Sequence, residues 1–156
     1  MTGGITDFGT RLSERIRSGT SPAVVGLDPR LDALPTSVEP SAPPGQRILA
    51  FYREVVPVLA RHVGLVKPNI AFFEQFGHLG YRAYEETCEL ARRHGMIVIG
   101  DVKRGDIGST AEAYARAHFA HADAVTLHPY LGIDSIRPFL AHCEPRAEPK
   151  GVFVLV

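Results

Sequence analysis

The chain has 156 residues, enough for one hydrophobic core, with 17 basic and 17 acidic side chains and a formal net charge of zero. That balance, with no basic block, argues against a nucleic-acid partner. No run approaches membrane-spanning length, and the N-terminus lacks a basic start followed by an apolar core, so a soluble cytoplasmic protein is expected.

Residues 6–18 read as an amphipathic helix, with Phe8, Leu12 and Ile16 at i, i+4, i+8. Thr6 or Asp7 is placed to cap it, and Gly19 to end it. Ala23 to Asp28 is a short apolar strand closed by Pro29. Prolines 35, 40, 43 and 44 exclude regular structure between Leu31 and Gly45, which reads as a surface loop. A helix follows from about Gln46 to Arg61, and Pro57 should kink or divide it. His62 to Ile70 is the second strand, ending at Lys67-Pro68-Asn69. A helix over roughly 78–94 carries Tyr84, Cys88 and Ala91 on one stripe, with Gly95 at its C′ position.

The third strand is 96–103. Ser109-x-x-Glu112 has the form of a capping box opening the next helix, which carries Tyr114 to His118. Asp123 to His128 is the fourth strand. Asp134 should cap a further crossover helix, with Pro138 tolerated in its first turn. Gly151 to Val156 is a fifth apolar strand. Cys88 and Cys143 lie far apart and outside metal-ligand spacing, so both read as apolar fillers.

Five alternations of strand and helix mean an α/β fold with a parallel sheet, either doubly wound or a (β/α) barrel. No glycine-rich dinucleotide loop follows the first strand. Charged residues stand instead at the C-terminal ends of three strands: Asp28, Lys67, and Asp101 with Lys103. Barrel enzymes assemble their sites at that end, so the expected fold is a (β/α)8 TIM barrel, of which this chain covers about the first five strands. Residues 1–156 are then a single incomplete barrel domain, the N-terminal part of a longer protein. The edge of the fifth strand should be exposed.

The most informative stretch is Asp101-Val102-Lys103-Arg104-Gly105-Asp106-Ile107-Gly108-Ser109-Thr110. Strand alternation puts Ile97, Ile99, Asp101 and Lys103 on one face. A carboxylate and an ammonium projecting from the core-facing side of an apolar strand are costly unless they are used. A structural ion pair at a strand terminus is the plainer reading of Asp-x-Lys alone.

The pattern Asp-x-Lys-x-x-Asp-Ile-Gly resembles the active-site signature of the orotidine 5'-phosphate decarboxylases, in the branch that reads Asp-Val-Lys-Arg-Gly-Asp-Ile-Gly-Ser-Thr. Gly26-Leu27-Asp28-Pro29-Arg30 and Lys67-Pro68-Asn69, with Phe72-Phe73-Glu74 following, extend the resemblance, which runs from Phe8 to Val156. It implies a carboxy-lyase of pyrimidine biosynthesis that converts orotidine 5'-phosphate to UMP with no metal or organic cofactor. Decarboxylation leaves negative charge on ring carbon 6, which needs preorganised positive charge and a proton. A lysine supplies both, so Lys103 is the implied proton donor. Asp101 and Asp106 beside it favour the ammonium form that burial alone would disfavour.

In that family the second aspartate of the motif reaches the neighbouring subunit's site. Carried onto Asp106, this implies a homodimer with shared sites, with Ile107 and Thr110 near the same pocket. Asp28 matches the aspartate that binds the ribose hydroxyls, and Lys67 the lysine that contacts ribose and completes the charge array. Asn69 either orients that lysine or ends the strand. Phe72 and Phe73 read as packing rather than as a base-stacking surface. Thr126 could line the pocket, and His128 before Pro129 is as readily a satisfied loop histidine, with Tyr130 beside it. The family's phosphate-binding loops follow strands seven and eight, beyond Val156. The fragment alone is therefore expected to be inactive.

Two other readings compete. Metal-dependent sugar-phosphate decarboxylases or aldolases of the same barrel group share Asp-x-Lys-x-x-Asp. They place an acidic metal ligand at the end of strand two, where this chain has Lys67, which cannot bind a cation while protonated. A truncated, non-catalytic paralogue is the third reading.

Overall fold

A computed structural model describes residues 7–18, 21–143 and 148–156. Thr6 and Gly19, expected at the two ends of the first helix, lie outside the described residues. The chain divides into two compact units, residues 20–98 and residues 1–19 with 99–156.

In the first unit, β1 (Ser21–Leu27) and β2 (Val63–Pro68) pair in parallel, with Gly26 opposite Lys67 and Leu27 opposite Pro68. β2 pairs in parallel with the start of β3 (Ile97–Arg104) through Leu65–Ile97 and Val66–Val98. β2 is apolar on both faces because both are covered, as parallel strands require. Helix α2 (Pro44–Leu59) packs on α4 (Gly77–Arg93), and the short α3 (Ala71–Glu74) joins them. Tyr52, Phe73 and Tyr84 interlock at the centre. Tyr52 stacks on Phe73 at 6.1 Å, and Phe73 meets Tyr84 edge-on at 5.5 Å. Phe73 is therefore core packing, as expected, and Cys88 is also buried.

Three sequence expectations in this unit change. The proline-rich loop contains a single 3-10 turn at Leu31–Ala33, and Pro44 opens α2 instead of preceding it. Proline suits the first helical position, where its missing N–H has no partner to lose. Pro57 does not divide α2: it lies in the last turn, two residues before the helix ends at Leu59. The residues after β2, which the sequence left unassigned, form α3, whose first amide, that of Ala71, donates to Asn69 Oδ1 at 3.3 Å. Gly95 takes the left-handed φ of 72° expected of a C′ glycine.

In the second unit, the remainder of β3 pairs in parallel with β4 (Ala124–Leu127), and β4 with β5 (Gly151–Val154). Helices α5 (Gly108–Phe119) and α6 (Ile133–Leu140) pack together, with Phe119 edge-on to Phe139 at 6.3 Å. Helix α1 (Phe8–Arg17) is capped by Asp7, whose Oδ1 accepts the Thr10 N–H at 2.9 Å. Its Arg11 reaches the fully buried Asp123 at 2.9 Å, and Phe8 meets Phe153 of β5 edge-on. Phe153 and Val154 are each 40 % exposed, so β5 presents apolar side chains to solvent.

Two capping expectations fail here. Helix α5 begins one residue before Ser109, with Ile107 at the cap position and no side-chain cap. Glu112 pairs with Arg116 instead of reaching back. Helix α6 is preceded by Gly132 at φ 79°, with Asp134 inside its first turn, and Pro138 lies beyond that turn. Here Ser135 Oγ donates to the Gly132 carbonyl at 2.7 Å.

Candidate active site

The C-terminal end of β3 departs from regular pairing. Ile99 and Gly100 face Ala124 and Val125, but the next partner of β4, Leu127, is opposite Arg104. Four steps along β3 therefore match two along β4, and the surplus residues, Asp101 to Lys103, bulge out of the ladder. Lys103 turns through the left-handed region at φ 45°, a conformation that a non-glycine residue adopts only when its surroundings enforce it.

This bulge brings Asp101 and Lys103 together. The Asp101 side chain is 7 % exposed and that of Lys103 50 %, and Lys103 Nζ donates to Asp101 Oδ1. The alternation argument reached the right pair, although the strand is not regular where the pair forms. Thr126 of β4 sits against the bulge. Its hydroxyl accepts the backbone N–H groups of Val102 and Lys103, each at 3.0 Å, and donates to Asp101 Oδ1 at 3.1 Å.

Arg104, next in the motif, anchors the far side. Its Nη1 donates to the Val102 carbonyl at 3.2 Å and its Nε to His118 Nε2 at 3.1 Å, and its guanidinium lies 5.2 Å from the Tyr114 ring centre. His118 is buried on α5, and its Nδ1 is enclosed without a hydrogen-bond partner. Burial first, then the neighbouring Arg104 and His121, push its pKa down to about 4, so the ring stays a neutral acceptor. Sequence reading did not single out Arg104 or His118. The available signal was a histidine on α5 four residues after Tyr114, which puts both on one helix face.

Asp106 is half-buried, and its Oδ1 accepts the Ile107 N–H at 2.8 Å. Among the described residues, Lys103 Nζ pairs with Asp101 and not with Asp106. Ile107 is 57 % exposed and Thr110 is exposed. His128 is the satisfied loop histidine: its Nδ1 accepts the Tyr130 N–H at 3.1 Å.

In the other unit, Asp28 follows the last residue of β1, and Lys67 is the penultimate residue of β2. Since Leu27 is opposite Pro68, both charges stand at the C-terminal ends of adjacent parallel strands. Asp28 is exposed, and its carboxylate, after burial, contributes to raising the pKa of the Tyr52 phenol. Asn69 follows the last residue of β2, and its Oδ1 accepts the Ala71 N–H at 3.3 Å, which favours its strand-ending role.

Known proteins are similar to this chain. The sequence model of the Orotidine 5'-phosphate decarboxylase / HUMPS family matches residues 24–156. The chain belongs to this family. It is 42% identical to an orotidine 5'-phosphate decarboxylase of Rhodopirellula baltica, over 96% of this chain and 54% of that protein. A second relative of the same name, from Leptospira interrogans, is 41% identical over 90% of this chain and 51% of its own length. Among solved structures, a putative orotidine 5'-phosphate decarboxylase from Streptomyces avermitilis superposes with TM-score 0.80 at 39% identity, covering 95% of this chain and 52% of that one. One from Toxoplasma gondii gives 0.82 at 39% identity, covering 98% and 50%.

The chain thus spans about half the length of the relatives it matches. Its fold class is the TIM barrel of this family, and its five parallel strands are the N-terminal part of one. Among the described residues no helix is long and apolar enough to cross a membrane.

Proposed function

We propose that the whole protein decarboxylates orotidine 5'-phosphate to UMP in the cytoplasm, and that residues 1–156 are a single incomplete barrel domain of it. The observation that carries this reading is the Lys103–Asp101 ion pair, held in a bulge at the end of β3 inside the family's motif. The bond between ring carbon 6 and the carboxylate breaks, its electron pair stays on carbon 6, and carbon dioxide leaves. The Lys103 ammonium lies beside the developing charge and then transfers its proton to carbon 6. A fixed cation there stabilises the transition state more than the ground state, because the charge on carbon 6 exists only as the bond breaks.

Asp101 keeps Lys103 oriented and charged. Asp28 and Lys67, at the ends of β1 and β2, are assigned to the ribose. Asp106, with Ile107 and Thr110, is assigned to the site of a second subunit. The exposure of Ile107, and the bond of Asp106 Oδ1 to the Ile107 N–H while Lys103 pairs with Asp101, support a shared site in a homodimer.

Assay of the whole enzyme tests the reading. Orotidine 5'-phosphate should yield UMP and carbon dioxide in equal amounts, at a rate that a chelator leaves unchanged. Activity that disappears on chelation and returns with magnesium would overturn the assignment in favour of a metal-dependent relative.

A further inference from the structure

We infer that Thr126 is a positioning residue, whose hydroxyl fixes the β3 bulge that sets Lys103 and Asp101 in their working arrangement. A hydroxyl has one proton and two lone pairs, and the Thr126 hydroxyl uses all three. The lone pairs receive the Val102 and Lys103 N–H groups, and the proton goes to Asp101 Oδ1, the same oxygen that receives Lys103 Nζ.

These two N–H groups need a partner because the bulge has removed them from the ladder. In regular parallel pairing, backbone carbonyls of the neighbouring strand receive such amides. Here two residues of β4 span four of β3, and between paired positions Gly100–Val125 and Arg104–Leu127 only Thr126 faces the surplus segment. A side chain therefore replaces the missing backbone acceptors. The left-handed backbone of Lys103 follows, since both amides must converge on one oxygen. Without that oxygen, Lys103 loses the bond that ties its own amide to β4, and its left-handed backbone loses that support. Lys103 Nζ would then lose its fixed direction.

Pocket lining, the role suggested by its position on the strand, would make Thr126 a binding group. Positioning makes a different kinetic demand: turnover should fall while substrate affinity barely moves. Misplacing a reacting group by about 1 Å costs on the order of 100-fold in rate. Serine retains the hydroxyl, whereas valine keeps the shape without it.

In the whole enzyme, Thr126→Val should lower kcat by on the order of 100-fold with KM within about threefold, and Thr126→Ser should remain within about fivefold of wild type. A raised KM at unchanged kcat in Thr126→Val would overturn the inference in favour of pocket lining. This kinetic arm rests on the decarboxylase reading, so a second arm avoids it. In the wild-type protein, NMR should resolve a slowly exchanging Thr126 hydroxyl proton with contacts to the Val102 and Lys103 amide protons. Both amides should exchange at least tenfold faster in Thr126→Val and at the wild-type rate in Thr126→Ser. A wild-type protein with no decarboxylase activity but with these amide effects would reject the functional reading and leave the positioning role intact. A fast-exchanging hydroxyl in the wild type would overturn positioning even if the valine variant did not fold.

Discussion

At the scale of single residues, the proposed chemistry is concentrated in Lys103 and its support in Asp101 and Thr126. If Lys103 is the proton donor, as proposed, Lys103→Ala in the whole protein removes that donor and the nearest fixed positive charge together. Losing one preorganised electrostatic group costs about 3–4 kcal/mol, and losing a general acid adds a factor of roughly a hundred. Turnover should fall by several orders of magnitude, with a smaller effect on UMP binding; a variant retaining a tenth of wild-type kcat would reject the role.

His118 makes a prediction about pH. Its folded pKa is about 4 against 6.5 for the free side chain, so the unfolded chain takes up the proton first as pH falls. Its stabilising contribution is complete above 6.5 and is lost on going down toward 4, by at most roughly 3 kcal/mol. Carboxylates titrate nearby in pH, so the check is a difference. In urea melts, the stability gap between wild type and His118→Gln should be largest at pH 7.5 and shrink steadily toward pH 4.5.

At the scale of elements, close backbone approach decides which substitutions the fold tolerates. A Cβ on Gly80 of α4 would lie 1.9 Å from the Phe73 carbonyl oxygen of α3, a backbone atom that cannot swing aside. Gly95 has open space around its Cβ direction but a φ of 72°. Gly80→Ala should therefore cost about 2–3 kcal/mol of overpacking despite alanine's better helix propensity. Gly95→Ala should cost only about 1 kcal/mol of left-handed strain. Denaturant midpoints of the two variants test the order, and equal losses would mean that the α3–α4 contact yields easily.

Elements were legible to the extent that hydrophobic periodicity specified them. The five strands and the long helices stand where their apolar patterns put them, and in β2, β3 and β4 burial enforces the pattern. Helix ends were less legible. The Ser109-x-x-Glu112 box and the Asp134 cap were chemically sound, yet Ile107 and Gly132 take the cap positions. Where each helix starts depends on how the chain leaves the preceding strand, which residue type alone does not encode.

For the whole molecule, both the shared site and the barrel's completion are testable. If Asp106 acts across a dimer, whole-enzyme Asp106→Ala and Lys103→Ala proteins, each nearly inactive, should regain activity on mixing. One site of the heterodimer then carries both substitutions and the other neither. Absence of recovery in a sample proven by native mass spectrometry to contain heterodimers would place Asp106 in its own subunit's site. Residues 1–156 by themselves should show no measurable decarboxylation at saturating substrate, because remote contacts to the substrate normally contribute to turnover as well as to affinity. Water around Lys103, whose side chain is 50 % exposed, would also weaken its electrostatic interactions. Clear turnover by a monodisperse preparation would contradict this.

By itself, the sequence determined the order of strands and helices, the family motif, and the pairing of Asp101 with Lys103. These depend on local spacing: apolar period, strand-end chemistry, and a two-residue offset. Only the tertiary structure decided how that pair is held. The mismatch of four steps of β3 against two of β4 comes from strand pairing, and it converts Thr126 from a candidate pocket-lining residue into the acceptor for two displaced amides. The same holds for Arg104 and His118, 14 positions apart in sequence and joined by a hydrogen bond only once α5 packs on β4. Spacing in a chain reports which residues share an element, and packing alone determines which elements share a residue's hydrogen bonds.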